Sequence, residues 1–148
     1  MAFVLVIEAN KTVAGRASDA INAAGHACGW VLAAGQAVTL LRWRAADLIL
    51  LDQGLPGADG GALPQTLRRA AGVSDLPIVL LTSRPVAEPH DRSIVDYIEK
   101  PFDPRYLVWR VNHALETRPR RRLSLDDIRD DDPPYLAGTA PAPLRTVA

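Results

Sequence analysis

Glu8, Asp52, Thr82 and Lys100 are the residues of this sequence best placed by type and spacing to share one piece of chemistry. Each closes a short apolar run. Phe3-Val4-Leu5-Val6-Ile7 leads into Glu8, Leu48-Ile49-Leu50-Leu51 into Asp52, Pro77-Ile78-Val79-Leu80-Leu81 into Thr82, and a run over 95–99 into Lys100. Such runs are too short for buried helices and predict strands covered on both faces, as in a parallel sheet. Open parallel sheets bind ligands beyond the carboxyl ends of their strands. Two carboxylates, a hydroxyl and an ammonium are therefore expected along one edge. That set suits transfer of a phosphoryl group to a carboxylate. Asp52 is the candidate nucleophile, forming an aspartyl phosphate. Glu8 and Asp52 are the candidate ligands of a hard cation such as Mg2+, which keeps several waters and bridges to phosphate oxygens. Lys100 would neutralise phosphoryl charge, and Thr82 would donate a hydrogen bond. Little else is required, because phosphoryl transfer is catalysed mainly by positioning and electrostatics.

The intervening segments must hold those strand ends in place. Asn10 is a candidate cap for a helix over 11–24, with Val13, Ala17, Ala20, Ile21 and Ala24 at helical spacing and Gly25 stopping it. Residues 27–32 form a weak strand candidate, weakened by Gly29. A helix is expected over 36–44, with Val38, Leu41 and Leu40 facing inward. The loop over 53–61 holds four glycines but matches neither common glycine-rich phosphate-binding pattern. Its glycines are expected to let the chain turn tightly beside Asp52. A helix follows to about residue 71, and Asp103 is expected to cap a last helix through residue 116. Leu107, Val111, Ala114 and Leu115 share one face of that helix. Strand and helix thus alternate, which predicts an α/β protein with a doubly wound parallel sheet between two helical layers.

With these residues in order, the stretch 3–117 resembles a receiver domain of response regulators from bacterial two-component systems. The resemblance is carried by Val4-Leu5-Val6-Ile7-Glu8, by Leu50-Leu51-Asp52-Gln53-Gly54-Leu55-Pro56-Gly57-Ala58-Asp59-Gly60, by Val79-Leu80-Leu81-Thr82-Ser83 and by Asp96-Tyr97-Ile98-Glu99-Lys100-Pro101-Phe102. It implies a flavodoxin-like, five-stranded sheet in the order 2-1-3-4-5. It implies that Asp52 accepts a phosphoryl group from a histidine kinase or phosphotransfer protein, with Thr82 and Lys100 assisting. It further implies a switch formed by Thr82 and Tyr97, a metal ligand in the backbone carbonyl of Gly54, and a cis peptide before Pro101. The expected role is a cytoplasmic phosphorelay switch, a phosphoprotein with at most self-catalysed phosphotransfer and dephosphorylation, signalling through contacts with an output protein.

Three departures from the family qualify that expectation. The family usually carries two adjacent acids after the first strand, whereas this sequence reads Glu8-Ala9. A methyl group cannot ligate, so Mg2+ binding is expected to be weakened. The alternative is a pseudo-receiver adaptor that docks on partners without phosphorylation. The connection between Thr82 and Lys100 is shorter than usual and holds Pro85 and Pro89, so the helix expected there is shortened or irregular. Residues 118–148 are rich in Pro, Ala and charge, which predicts a flexible tail beyond a receiver domain over 1–117, a stand-alone arrangement with no DNA-binding domain.

Composition bounds the rest. With 17 basic and 17 acidic residues the net charge is zero, which removes any global case for nucleic-acid binding. The lone Cys28 excludes an internal disulfide and reads as a small buried hydrophobe. His26, His90 and His113 show no metal-ligand spacing. No apolar stretch is long enough to span a bilayer, and the first nine residues lack the basic start of a signal peptide. Trp30, Trp43 and Trp109 read as partly buried packing residues, with Trp109 also a candidate interface residue and the last helix a candidate homodimer face.

Overall fold

The structure, a computed structural model, describes residues 1–84 and 93–117. Five parallel strands form one sheet: β1 (Phe3–Ile7), β2 (Ala27–Val31), β3 (Leu48–Asp52), β4 (Ile78–Thr82) and β5 (Asp96–Glu99). Their order is β2-β1-β3-β4-β5, as the resemblance implied. The helices are α1 (Lys11–Ala23), α2 (Ala34–Leu41), α3 (Leu63–Ala71) and α4 (Pro104–Thr117).

Every residue of β1, β3 and β4 is buried, which is why these strands read as unbroken apolar runs rather than alternating ones. Alternation decides which layer each residue joins. Phe3, Leu5, Ile7, Ile49, Leu51, Ile78 and Leu80 pack in the layer that includes Ala37, Leu41 and Leu67 of α2 and α3. Val4, Val6, Leu48, Leu50, Val79, Leu81 and Ile98 pack in the layer that includes Ile21 of α1 and Leu107 and Val111 of α4. A one-residue slip in any of these strands would exchange the two sets.

The local signals behave as their chemistry requires. Asn10 Oδ1 accepts from the N–H groups of Thr12 and Val13 at 3.0 and 3.2 Å and starts α1. Asp103 Oδ1 accepts from Arg105 N–H at 2.7 Å and starts α4, with Pro104 in the first turn, where its missing N–H costs nothing. Gly29, which argued against a strand, leaves room within β2 for the Phe3 ring of β1. A Cβ there would stand 3.3 Å from the Phe3 ring. α2 begins and ends earlier than periodicity suggested, because residues 42–44 turn back toward β3 rather than continue the helix.

Two further expectations need correction or placement. Trp43 and Trp109 do not pack in the interior: they are 87% and 61% exposed. Trp43 lies in the turn after α2, and Trp109 lies on the outer face of α4, stacked between Tyr106 and His113. The irregular helix expected between β4 and β5 falls largely on residues 85–92, and the expected tail on 118–148; both lie outside the described residues. Among the described residues, no helix is long and apolar enough to cross a membrane.

Candidate functional site

The carboxyl ends of β1, β3 and β4 and the residue after β5 deliver Glu8, Asp52, Thr82 and Lys100 to one edge of the sheet. Lys100 is the centre of the cluster. Its Nζ donates to Glu8 Oε1 at 2.6 Å and to Asp52 Oδ1 at 3.1 Å. Lys100 N–H also donates to the Thr82 carbonyl at 2.6 Å, which fixes the chain as it leaves β5. The peptide joining Lys100 to Pro101 is cis, as the resemblance implied.

Backbone donors complete the two carboxylates. Glu8 Oε2 accepts from Asn10 N–H at 3.0 Å. Asp52 Oδ1 accepts from Gly54 N–H at 2.9 Å, and Oδ2 from Ala9 N–H at 3.4 Å. Gly54 fits without displacing the carboxylate, since a Cβ there would sit 3.2 Å from Asp52 Oδ1, tighter than most such contacts. Gly57 and Gly60 adopt left-handed conformations, with φ of 77° and 69°, that carry the loop back into α3. Thr82 is fully buried, and its hydroxyl has no hydrogen-bond partner among the described residues. A buried hydroxyl without a partner costs stability, so its presence at the edge is compatible with a ligand that it meets. In the β4–β5 register Thr82 pairs with Glu99 and Leu80 with Tyr97, so Thr82 and the half-buried Tyr97 share one face of the sheet.

The two acids differ in electrostatics. Burial lifts the Glu8 carboxyl above its usual 4.5, and a hydrogen bond shared with Asp52 adds to the rise, against Asn10 N–H and Lys100. Burial also acts to lift Asp52, but the hydrogen bonds from Glu8, Gly54 N–H and Lys100 outweigh it and hold Asp52 below its usual value. Burial acts to lower the Lys100 ammonium, and its two carboxylate partners outweigh that and raise it. Asp52 is thus the acid that ionises first and Glu8 the acid that keeps a proton longer. Stability contributed by protonated Glu8 is complete below about pH 4.5 and is lost as pH rises through its raised folded value. Glu8→Gln, neutral at every pH, is therefore expected to unfold at a higher temperature than the natural chain at pH 7, with the gap closing below pH 4.5. Thermal unfolding followed by circular dichroism across that range checks this, and a lower midpoint for the variant at pH 7 would refute it.

For a divalent cation the donor set is minimal. Mg2+ is usually held by one or two carboxylates together with waters and phosphate oxygens, and Glu8 and Asp52 meet that minimum. Ala9 adds only a methyl group, and no cluster of three or more His, Cys, Asp or Glu occurs among the described residues.

The model of the response regulator receiver domain family matches residues 4–112. The chain belongs to this family. Among its relatives, the transcriptional regulatory protein BaeR of Escherichia coli is 35% identical over 131 residues, which cover 84% of this chain and 52% of BaeR. This receiver chain therefore spans about half the length of that curated relative. The signal receiver domain of a signal transduction histidine kinase from Syntrophus aciditrophicus superposes with a TM-score of 0.67 at 26% identity, covering 84% of this chain and 98% of that one. The receiver domain of the sensor histidine kinase PA1611 from Pseudomonas aeruginosa, whose structure has a magnesium ion in its active site cleft, superposes with a TM-score of 0.65, covering 78% and 98% of the two chains. Its 24% identity speaks for the fold alone. Receiver domains of this family act as signalling switches rather than as turnover enzymes.

The sequence reading assembled Glu8, Asp52, Thr82 and Lys100 correctly at one edge. It missed Arg68, which is 6% exposed on α3. Arg68 Nε donates to the Leu76 carbonyl at 3.0 Å and a terminal nitrogen to the Ser93 carbonyl, tying α3 to the chain just before β4 and just before β5. It lies beside Leu67 on an otherwise amphipathic helix, and no spacing distinguishes it from the exposed Arg69.

Proposed function

We propose that Asp52 accepts a phosphoryl group from a histidine kinase or phosphotransfer protein and that the modified chain signals through contacts with an output protein. The observation that carries this reading is the Lys100 ammonium 3.1 Å from Asp52, next to the partnerless Thr82 hydroxyl on the neighbouring strand. In the transfer, an Asp52 carboxylate oxygen forms a bond to phosphorus as the donor's bond to phosphorus breaks. Lys100 and Thr82 then face the new charge, as cation and as hydrogen-bond donor. Glu8, Asp52 and the Gly54 carbonyl would hold Mg2+, which when bound supplies further positive charge against the phosphoryl oxygens. Tyr97, on the same sheet face as Thr82, is the residue through which a moved hydroxyl would be felt at β5.

A second reading rests on Ala9: with one potential ligand missing, the fold would serve as an adaptor that docks without phosphorylation. Intact-protein mass spectrometry after incubation with acetyl phosphate and Mg2+ separates the two. A single phosphoryl adduct, absent in Asp52→Asn, is the expected result. No adduct on protein with its natural unfolding midpoint would favour the adaptor.

A further inference from the structure

Phosphoryl chemistry leaves the opposite end of the α2–α3 layer unexplained. Arg42 follows α2 and Arg69 lies in the last turn of α3, and with Val38, Thr66 and Ala70 they line an open cleft of about 370 Å³ between the two helices. Both arginines are exposed, and among the described residues neither guanidinium has a hydrogen bond or an ion pair. No Asp or Glu occurs over 33–46 or over 60–74, so neither helix supplies a counter-charge. Trp43, directly after Arg42, is 87% exposed, the largest exposure of any bulky apolar side chain described. Arg44 on its other side is not available in the same way, because its guanidinium lies 3.6 Å above the Phe3 ring.

Basic residues in a last turn complement the helix dipole, which accounts for an arginine at each helix end. It does not account for two guanidiniums opening into one cleft, nor for the bare indole that follows Arg42 in the chain. Arginine and tryptophan are the residue types that dominate binding hot spots, and a guanidinium fork matches a carboxylate through two parallel hydrogen bonds. We propose that the α2–α3 cleft docks an acidic segment of a partner protein, with Arg42 and Arg69 each taking a carboxylate and Trp43 packing beside them. A nucleic acid fits less well. Its affinity comes from neutralising many phosphates, whereas this surface offers two unpaired cations, with Asp47 and Asp75 close after them in the chain. Arg42 precedes β3 and Arg69 precedes β4, so the cleft lies toward the strands' amino ends, away from Asp52. Docking there leaves the phosphoryl acceptor open, and the proposal stands whether or not Asp52 is modified.

The test titrates the full chain into dye-labelled hexaglutamate and follows fluorescence anisotropy at low salt, with oligothymidine of equal length as the competitor class. Saturable binding to hexaglutamate is expected, at least tenfold weaker in Arg42→Glu/Arg69→Glu and also weaker in Arg42→Gln/Arg69→Gln and Trp43→Ala. The glutamine pair guards against a folding defect in the charge reversal, and each variant is first matched to the natural unfolding midpoint. Absence of binding, binding unchanged in the glutamine pair, or tighter binding of oligothymidine would overturn the proposal.

Discussion

Ala9→Asp is expected to tighten Mg2+ binding roughly tenfold or more, equivalent to about 1.4 kcal/mol. Position 9 is next to Glu8, and its N–H already reaches Asp52 Oδ2 at 3.4 Å, so a carboxylate there joins the existing cluster rather than a remote surface. A hard divalent ion gains from each added anionic oxygen, and ligand charge is the main lever on its affinity. The same substitution sets three acids against one Lys100 ammonium. Without metal the variant should therefore unfold at a lower temperature than the natural chain, and Mg2+ should recover the loss. Calorimetric titration measures the first effect and thermal unfolding with and without Mg2+ the second. Equal affinity in both proteins would show that Ala9 is not what limits the site. Acquisition of an acetyl phosphate adduct should accelerate in parallel.

Arg68→Met is expected to cost about 2–4 kcal/mol of stability, from two hydrogen bonds to a charged donor and two carbonyls left without it. Methionine keeps the unbranched apolar stem, so the loss reports the guanidinium rather than a cavity. Arg68→Lys should recover only part, since one ammonium cannot reproduce a planar fork that reaches both Leu76 and Ser93. Urea denaturation gives the number directly, and a loss under about 1 kcal/mol would mean that the clasp contributes little beyond orientation.

The sheet was legible because its central strands are buried on both faces, and their apolar runs are too short to be buried helices. The site followed from the same fact: once the strand ends were located, Glu8, Asp52, Thr82 and Lys100 had to share an edge. β2 was nearly lost because Gly29 lowers strand propensity locally, while its benefit, room for the Phe3 ring, exists only in three dimensions. Arg68 was invisible for a similar reason. An arginine in an amphipathic helix is ordinarily a solvated residue, and its burial depends on two carbonyls that the chain supplies 8 and 25 residues later. Trp43 was misplaced because apolar character alone does not separate a core residue from a surface anchor. The contrast between the two acids also lay beyond sequence, since it depends on how the fold sets burial against the hydrogen bonds that each carboxylate shares.

The Arg68 clasp has a bearing on how this chain can diverge. It secures Ser93, while Lys100 N–H secures the Thr82 carbonyl, so the two margins of the stretch between β4 and β5 are fastened independently of what joins them. Lengthening a connection between fixed margins costs only about 0.6 kcal/mol for each doubling. Natural variation can therefore trim, extend or rewrite that stretch while the edge that holds Asp52 keeps its geometry. The short, proline-bearing version in this sequence is one outcome of that freedom, and a laboratory graft at the same margins inherits it.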